Sequence, residues 1–134
     1  MATLLGFDYG TRKIGVAVGQ TITGTASALD TLLPVKNRPD WDRIGQLIRE
    51  WKPDVLIVGL PLNLDASATD ATAGALRFSR QLEGRYHLPV YLADERFTSA
   101  EARSRLGPRQ KELERYDAMA AKLILETWLS EHGD

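Results

Sequence analysis

Three apolar runs crowd the first 33 residues: Leu4–Asp8, Ile14–Val18 and Ala26–Leu33. The links between them are too short to hold a helix, so the runs pair by tight reversal, as an antiparallel meander. The pattern then changes. Trp41, Ile44, Leu47, Ile48 and Trp51 keep helical spacing, and Pro53 ends that helix. Val55-Leu56-Ile57-Val58 is an unbroken aliphatic run ending at Gly59. A strand without a polar face is buried on both sides, as in a parallel sheet covered by helices. Ala71, Ala75, Phe78, Leu82 and Tyr86 mark a second helix, and Leu88–Ala93 a fifth strand. Thr98-Ser99-Ala100-Glu101 matches a capping box, opening a short helix that ends near Gly107. A last helix runs from about Lys111 to Leu129. The expected architecture is α/β, with a five-stranded mixed sheet: three antiparallel strands, then two parallel ones, with helices on both faces. Residues 1–134 are expected to form a single domain.

Composition removes several classes of chemistry. There is no cysteine, which excludes disulfides and thiolate-bound zinc or iron–sulfur centres. The two histidines, His87 and His132, are too few for a multi-histidine metal site, and no Ser-His-Asp arrangement stands out. No stretch reads as a signal peptide or a membrane span, so a cytoplasmic protein without a membrane partner is expected. The net charge of −1 does not by itself advertise nucleic-acid binding. Its distribution does more: Arg103, Arg105, Arg109 and Lys111 fall in a stretch with no acidic residue. Such a stretch is either a solvated basic loop or a phosphate contact.

The first, fourth and fifth strands are joined by helical crossovers and should be parallel, so their carboxyl ends share one edge of the sheet. Asp8 lies at that edge, as do Asp94 and Glu95 and the loop carrying Asn63 and Asp65. On the last helix, Leu113, Asp117, Ala120, Ala121, Ile124, Leu125 and Trp128 share one face, on which Asp117 is the one acidic residue. A carboxylate on a buried stripe is costly unless paired. Asp117 therefore forms a salt bridge, answers the helix dipole, or points across the edge toward Asp8 and Glu95. Asp8 alone could serve as a turn residue, and Glu95 as a surface ion-pair partner. Three acids at one edge repel each other, and a divalent cation relieves that repulsion. Oxygen-only ligands suit Mg²⁺ or Mn²⁺, and two such ions about 4 Å apart serve phosphodiester hydrolysis. Whether Asp94 or Glu95 faces the metal is open, because adjacent strand residues point to opposite faces. Thr11, Arg12 and Lys13 follow Asp8 and could guide a substrate backbone, and Asn63 could bond substrate or a ligating carboxylate.

These residues resemble the YqgF/RuvX family of bacterial pre-16S rRNA nucleases and Holliday-junction-resolvase-like proteins. The resemblance runs from Leu4 to about Leu125. It rests on Asp8-Tyr9-Gly10-Thr11-Arg12-Lys13-Ile14-Gly15-Val16-Ala17, Gly59-Leu60-Pro61-Leu62-Asn63, Asp94-Glu95-Arg96-Phe97-Thr98-Ser99 and Asp117-Ala118-Met119-Ala120-Ala121. It implies an RNase H-like fold, metal-dependent phosphodiester hydrolysis and maturation of the 5′ end of 16S rRNA, with a link to recombination or transcription. Asp8, Glu95 and Asp117 match the family's acidic positions. Resolvases that end the fourth strand on a carboxylate differ here, where the sequence offers Asn63.

The partner implied is nucleic acid, pre-16S rRNA first and structured or branched DNA second, acted on by a monomer or homodimer. Two other functions compete with a nuclease. Asp8-Tyr9-Gly10-Thr11 also looks like the first phosphate loop of sugar kinases and actin-like ATPases, which clamp ATP between two such domains. A non-catalytic RNA-binding factor could instead use the Arg103–Lys111 segment, with salt-sensitive binding that survives loss of the acids.

Overall fold

The computed structural model describes residues 2–10, 12–61, 70–94 and 113–132. Within them lie β1 (Thr3–Tyr9), β2 (Ile14–Gln20), β3 (Thr25–Leu32), α1 (Trp41–Trp51), β4 (Val55–Leu60), α2 (Asp70–Tyr86), β5 (Val90–Asp94) and α3 (Leu113–His132). The strands form one sheet in the order β3-β2-β1-β4-β5. β1 pairs antiparallel with β2, and β2 antiparallel with β3. β4 pairs parallel with β1 on one side and with β5 on the other. The expected meander and parallel continuation are both present.

The sheet carries a core on each face. On one side Leu5, Phe7, Val16, Leu56 and Val58 pack with Ile44 and Leu47 of α1 and with Ala75, Phe78 and Leu82 of α2. On the other side Leu4, Ala17, Ala26 and Ile57 pack with Ala121, Ile124, Leu125 and Leu129 of α3. Helices thus cover both faces, as expected. Apolar burial on this scale, at about 25 cal/mol per Å², is the main favourable term holding the layers together.

α3 lies very close to the sheet. A Cβ on Gly6 would stand 2.5 Å from Leu125 Cγ, and one on Gly19 would stand 3.2 Å from Leu129 Cδ1. Gly19 pairs with Leu4 near the start of β1, and Gly6 sits further along the same strand. One turn back along α3, from Leu129 to Leu125, therefore climbs toward the carboxyl end of β1. α3 runs antiparallel to β1, and its N-terminal turns approach the edge where Asp8 lies.

The helix ends follow from local chemistry. The Asp40 side chain accepts a hydrogen bond from the Arg43 backbone N–H at 3.1 Å, capping α1. α1 stops at Lys52, which takes a left-handed conformation (φ 48°) ahead of Pro53. β3 stops at Leu32, one residue short of the expected end, because Pro34 cannot donate to a ladder. β5 begins at Val90 rather than Leu88: His87 is left-handed (φ 56°), and Pro89 contributes only its carbonyl, to Leu56 N–H. The short helix expected over 98–107 lies outside the described residues.

Candidate functional site

β1 delivers Asp8 to the sheet edge. Leu5 and Phe7 are fully buried on the α1/α2 side, so strand alternation turns Leu4, Gly6 and then Asp8 toward α3. Asp8 stands opposite Gly15 of β2 and is half-buried. Tyr9, the next residue, returns to the α1/α2 side. Its ring lies 5.2 Å from the Phe78 ring. Gly74 of α2 makes room for it, since a Cβ there would meet Tyr9 Cε2 at 2.8 Å. Gly10 then starts a four-residue reversal that closes on the Tyr9–Ile14 pair. Its backbone passes so near the Lys13 carbonyl oxygen that a Cβ would stand 2.8 Å away. The position of Asp8 is thus fixed from below by the core and from above by a turn that requires glycine.

β4 and β5 reach the same edge. Phe7 is level with Val58 and, through β4, with Leu92, and Leu60 pairs with Asp94. Asp94 ends β5 two strands from β1, about 10 Å away laterally. The β4 exit is tied to α2 by the buried Thr72 hydroxyl, which donates to the Pro61 carbonyl. On α3, Asp117 lies eight residues before Leu125, about 12 Å back along the helix. Asp8 is two residues beyond Gly6, a rise of about 7 Å. The backbone at 117 therefore sits about one turn past Asp8, at the carboxyl edge and on the α3 side. It shares its stripe with Ala121 and Ile124, both buried against the sheet.

The expected site residues divide as follows. Asp8, Arg12, Lys13 and the helical position of Asp117 are described, and all lie at one edge. Thr11, Asn63, Glu95, Arg103, Arg105, Arg109 and Lys111 lie outside the described residues. Among the described residues no group of three or more His, Cys, Asp or Glu side chains could hold a metal ion. Also among them, no helix is long and apolar enough to cross a membrane.

One part of the edge has no counterpart in the sequence expectations. Arg12 and Lys13 line a small cleft of about 30 Å³, together with Tyr9, Gly10 and a tongue between β3 and α1. The tongue is a tight hairpin. Val35 N–H donates to the Arg38 carbonyl at 2.9 Å, and Arg38 N–H returns a bond to the Val35 carbonyl at 3.1 Å. Between them Lys36 (φ 53°) and Asn37 (φ 62°) are both left-handed, as a type I′ turn demands. Asn tolerates that conformation, whereas Lys there costs about 1–2 kcal/mol. Asn37, a residue type that tolerates a left-handed backbone, is the signal that marks this turn.

A family model described as "RuvX: Holliday junction resolvase" matches residues 2–131. A protein of Pseudomonas aeruginosa strain LESB58, called "Putative pre-16S rRNA nuclease", is 51% identical over 135 residues, covering 98% of this chain and 94% of that protein. One of the same description from Azotobacter vinelandii is 52% identical over 132 residues, covering 96% and 93%. Among solved structures, T. thermophilus RuvC in complex with a Holliday junction substrate aligns with a TM-score of 0.58 at 16% identity, covering 100% of this chain and 99% of that one. The fowlpox virus Holliday junction resolvase aligns with a TM-score of 0.55 at 15% identity, covering 96% and 97%. The structural likeness, at such low identity, establishes the shared RNase H-like fold. The family match over almost the whole length, joined to half-identical relatives, establishes descent: the chain belongs to the RuvX family of Holliday-junction-resolvase-like proteins.

Proposed function

We propose that this protein is a metal-dependent nuclease acting on the 5′ end of pre-16S rRNA, with Asp8, Glu95 and Asp117 as its metal-binding acids. The observation that supports this reading is that two backbone positions approach one edge from opposite directions: Asp8 is next to last in β1, and α3, running antiparallel to that strand, carries position 117 toward the same edge. The relatives' description as pre-16S rRNA nucleases supports the substrate class.

We take Glu95 rather than Asp94 as the third acid because, in the Asp94-Glu95-Arg96 run, it is Glu95 that matches the family's acidic position.

The donor set fits a hard divalent cation: carboxylate oxygens, no thiolate in the chain, and no histidine among the candidate acids. Mg²⁺ or Mn²⁺ bound by these carboxylates supplies Lewis-acid stabilisation of a phosphodiester and a more acidic water. The chain contributes the rest. The glycine turn and the Tyr9–Phe78 contact hold Asp8 at a fixed height. Arg12 and Lys13, immediately beyond, present positive charge to the substrate's phosphates. Thr11, Asn63, Arg103, Arg105, Arg109 and Lys111 are proposed as further contacts to the substrate backbone.

A cleavage panel tests the reading. The protein is incubated with Mg²⁺ or Mn²⁺ and a 16S precursor 5′ segment, unstructured RNA, duplex DNA or a four-way DNA junction. The expected result is metal-dependent cleavage of the rRNA segment, at least tenfold faster than of duplex DNA. Faster cutting of the junction would overturn the substrate assignment, and no cleavage of any member would overturn the enzyme reading.

A further inference from the structure

We propose that the cleft between the Arg12–Lys13 turn and the β3–α1 tongue is a second phosphate-binding subsite, with Arg38 as its outer wall. This deepens the nuclease reading and rests on its premise of a polynucleotide substrate. In it, backbone phosphates next to the scissile one seat between Arg12, Lys13 and Arg38 while the scissile phosphate lies at Asp8.

Four observations carry the subsite. First, three cationic side chains from two separate loops rim one small concavity of about 30 Å³. Asp40 is the acid that lines it, so three cations face one carboxylate and the wall is net cationic. Second, the cleft starts where the catalytic edge ends. Tyr9 and Gly10 line it, and Asp8 is the residue before them, turned to the opposite side of the sheet. A backbone leaving the acids need only round the end of β1 to enter it. Third, the tongue is held in place. Leu32 anchors it in the core, Arg43 Nε bonds Asp30 Oδ2 at 3.1 Å behind it, and Asp40 caps α1 at its far end. Two successive left-handed residues, one of them Lys36, are retained to form it. Strain held by a rigid surround is a mark of ligand-holding segments. Fourth, Leu33 and Val35 remain 58% and 51% exposed on the same tongue, so the cationic cleft adjoins an exposed apolar surface.

The test is equilibrium binding in EDTA, read by fluorescence anisotropy, with a labelled 16S precursor 5′ segment and a labelled four-way DNA junction. Salt is varied from 50 to 200 mM in both titrations, and inorganic phosphate is added as competitor. Arg38→Ala is expected to weaken binding about fivefold and to lower the slope of log K against log[salt] by about one, the signature of one lost phosphate contact. Arg38→Lys should restore most of the slope. Arg80→Ala, which removes a charge from the exposed face of α2, should change neither value. An Arg38→Ala protein that keeps wild-type affinity and slope on both nucleic acids would overturn the subsite, as would an equal loss in Arg80→Ala. Competition by millimolar phosphate as effective as by RNA would reassign the cleft to small anions. The nuclease reading is judged separately, by wild-type cleavage with Mg²⁺: cleavage with an indifferent Arg38 removes only the subsite, and an Arg38-dependent complex that is never cut removes only the nuclease.

Discussion

Asp8→Asn should reduce Mg²⁺-dependent cleavage of a 16S precursor 5′ segment about a thousandfold, equivalent to about 4 kcal/mol of barrier. The substitution keeps the shape of the side chain and removes its charge. Asp8 is half-buried at the end of a strand whose core residues are untouched by the change, so the fold should survive. Thermal unfolding within about 2 °C of wild type would show this. Nucleic-acid binding in EDTA should persist, or strengthen slightly, since a negative charge is lost near a polyanion. Loss of turnover with retention of binding is the pattern of a group that serves the reaction rather than the complex. Undiminished cleavage by the variant would remove Asp8 from the chemistry.

The second large effect concerns packing that positions the site. Gly6→Val should destabilise the protein by about 3 kcal/mol. Its Cβ would stand 2.5 Å from Leu125 Cγ and 2.9 Å from Leu125 Cδ2, and Leu125 is fully buried. α3 must lift or the strand must bend. Either movement shifts position 117 relative to Asp8, so cleavage should fall by more than the folded fraction does. Leu125→Ala in the same chain opens the space the valine needs. The double variant should therefore be more stable than the sum of the two single losses predicts, by about 1 kcal/mol or more. Urea unfolding of the four proteins measures this directly. Gly6→Val within 0.5 kcal/mol of wild type, on the order of an ordinary surface change, would refute the close approach of α3.

These two residues show what kind of information the sequence carried. The strand order, the antiparallel start and the placing of Asp8 at a sheet edge follow from run lengths and link lengths. Those quantities are local, and local patterns survive tertiary context. The helix that carries Asp117 is readable for a similar reason: its apolar stripe keeps helical spacing, and the helix is present over Leu113–His132. The closeness of α3 was not legible. Gly6 and Gly19 read as ordinary strand glycines until Leu125 and Leu129 are seen above them.

β3 shows a different failure. Ala26 and Leu32 are six residues apart, and simple alternation puts both on one face. Instead Ala26 packs against α3 and Leu32 on the α1/α2 side. The register slips between Val16 and Ala17, which pair with Asp30 and Ala28, so one residue of β3 is left over and the faces exchange. A bulge costs nothing visible in hydrophobic pattern, and it turns Asp30 toward Arg43 of α1. That contact steadies the tongue, which is why the cleft lined by Arg38 could not be foreseen from composition: its basic residues come from two loops about 25 positions apart. α3 adds a further difference. Ala118, Leu123 and Leu129 are buried beside the expected stripe, so the helix is covered around more of its circumference than one face.

The proposed chemistry requires Asp8, Glu95 and Asp117 to share a divalent cation. A crystal soaked in Mn²⁺, with diffraction recorded to locate the anomalous signal, tests it most directly. The prediction is one or two manganese peaks in direct contact with the carboxylates of Asp8, Glu95 and Asp117. Manganese bound elsewhere, with Asp8 making no contact to it and the three carboxylates pointing apart, would contradict it.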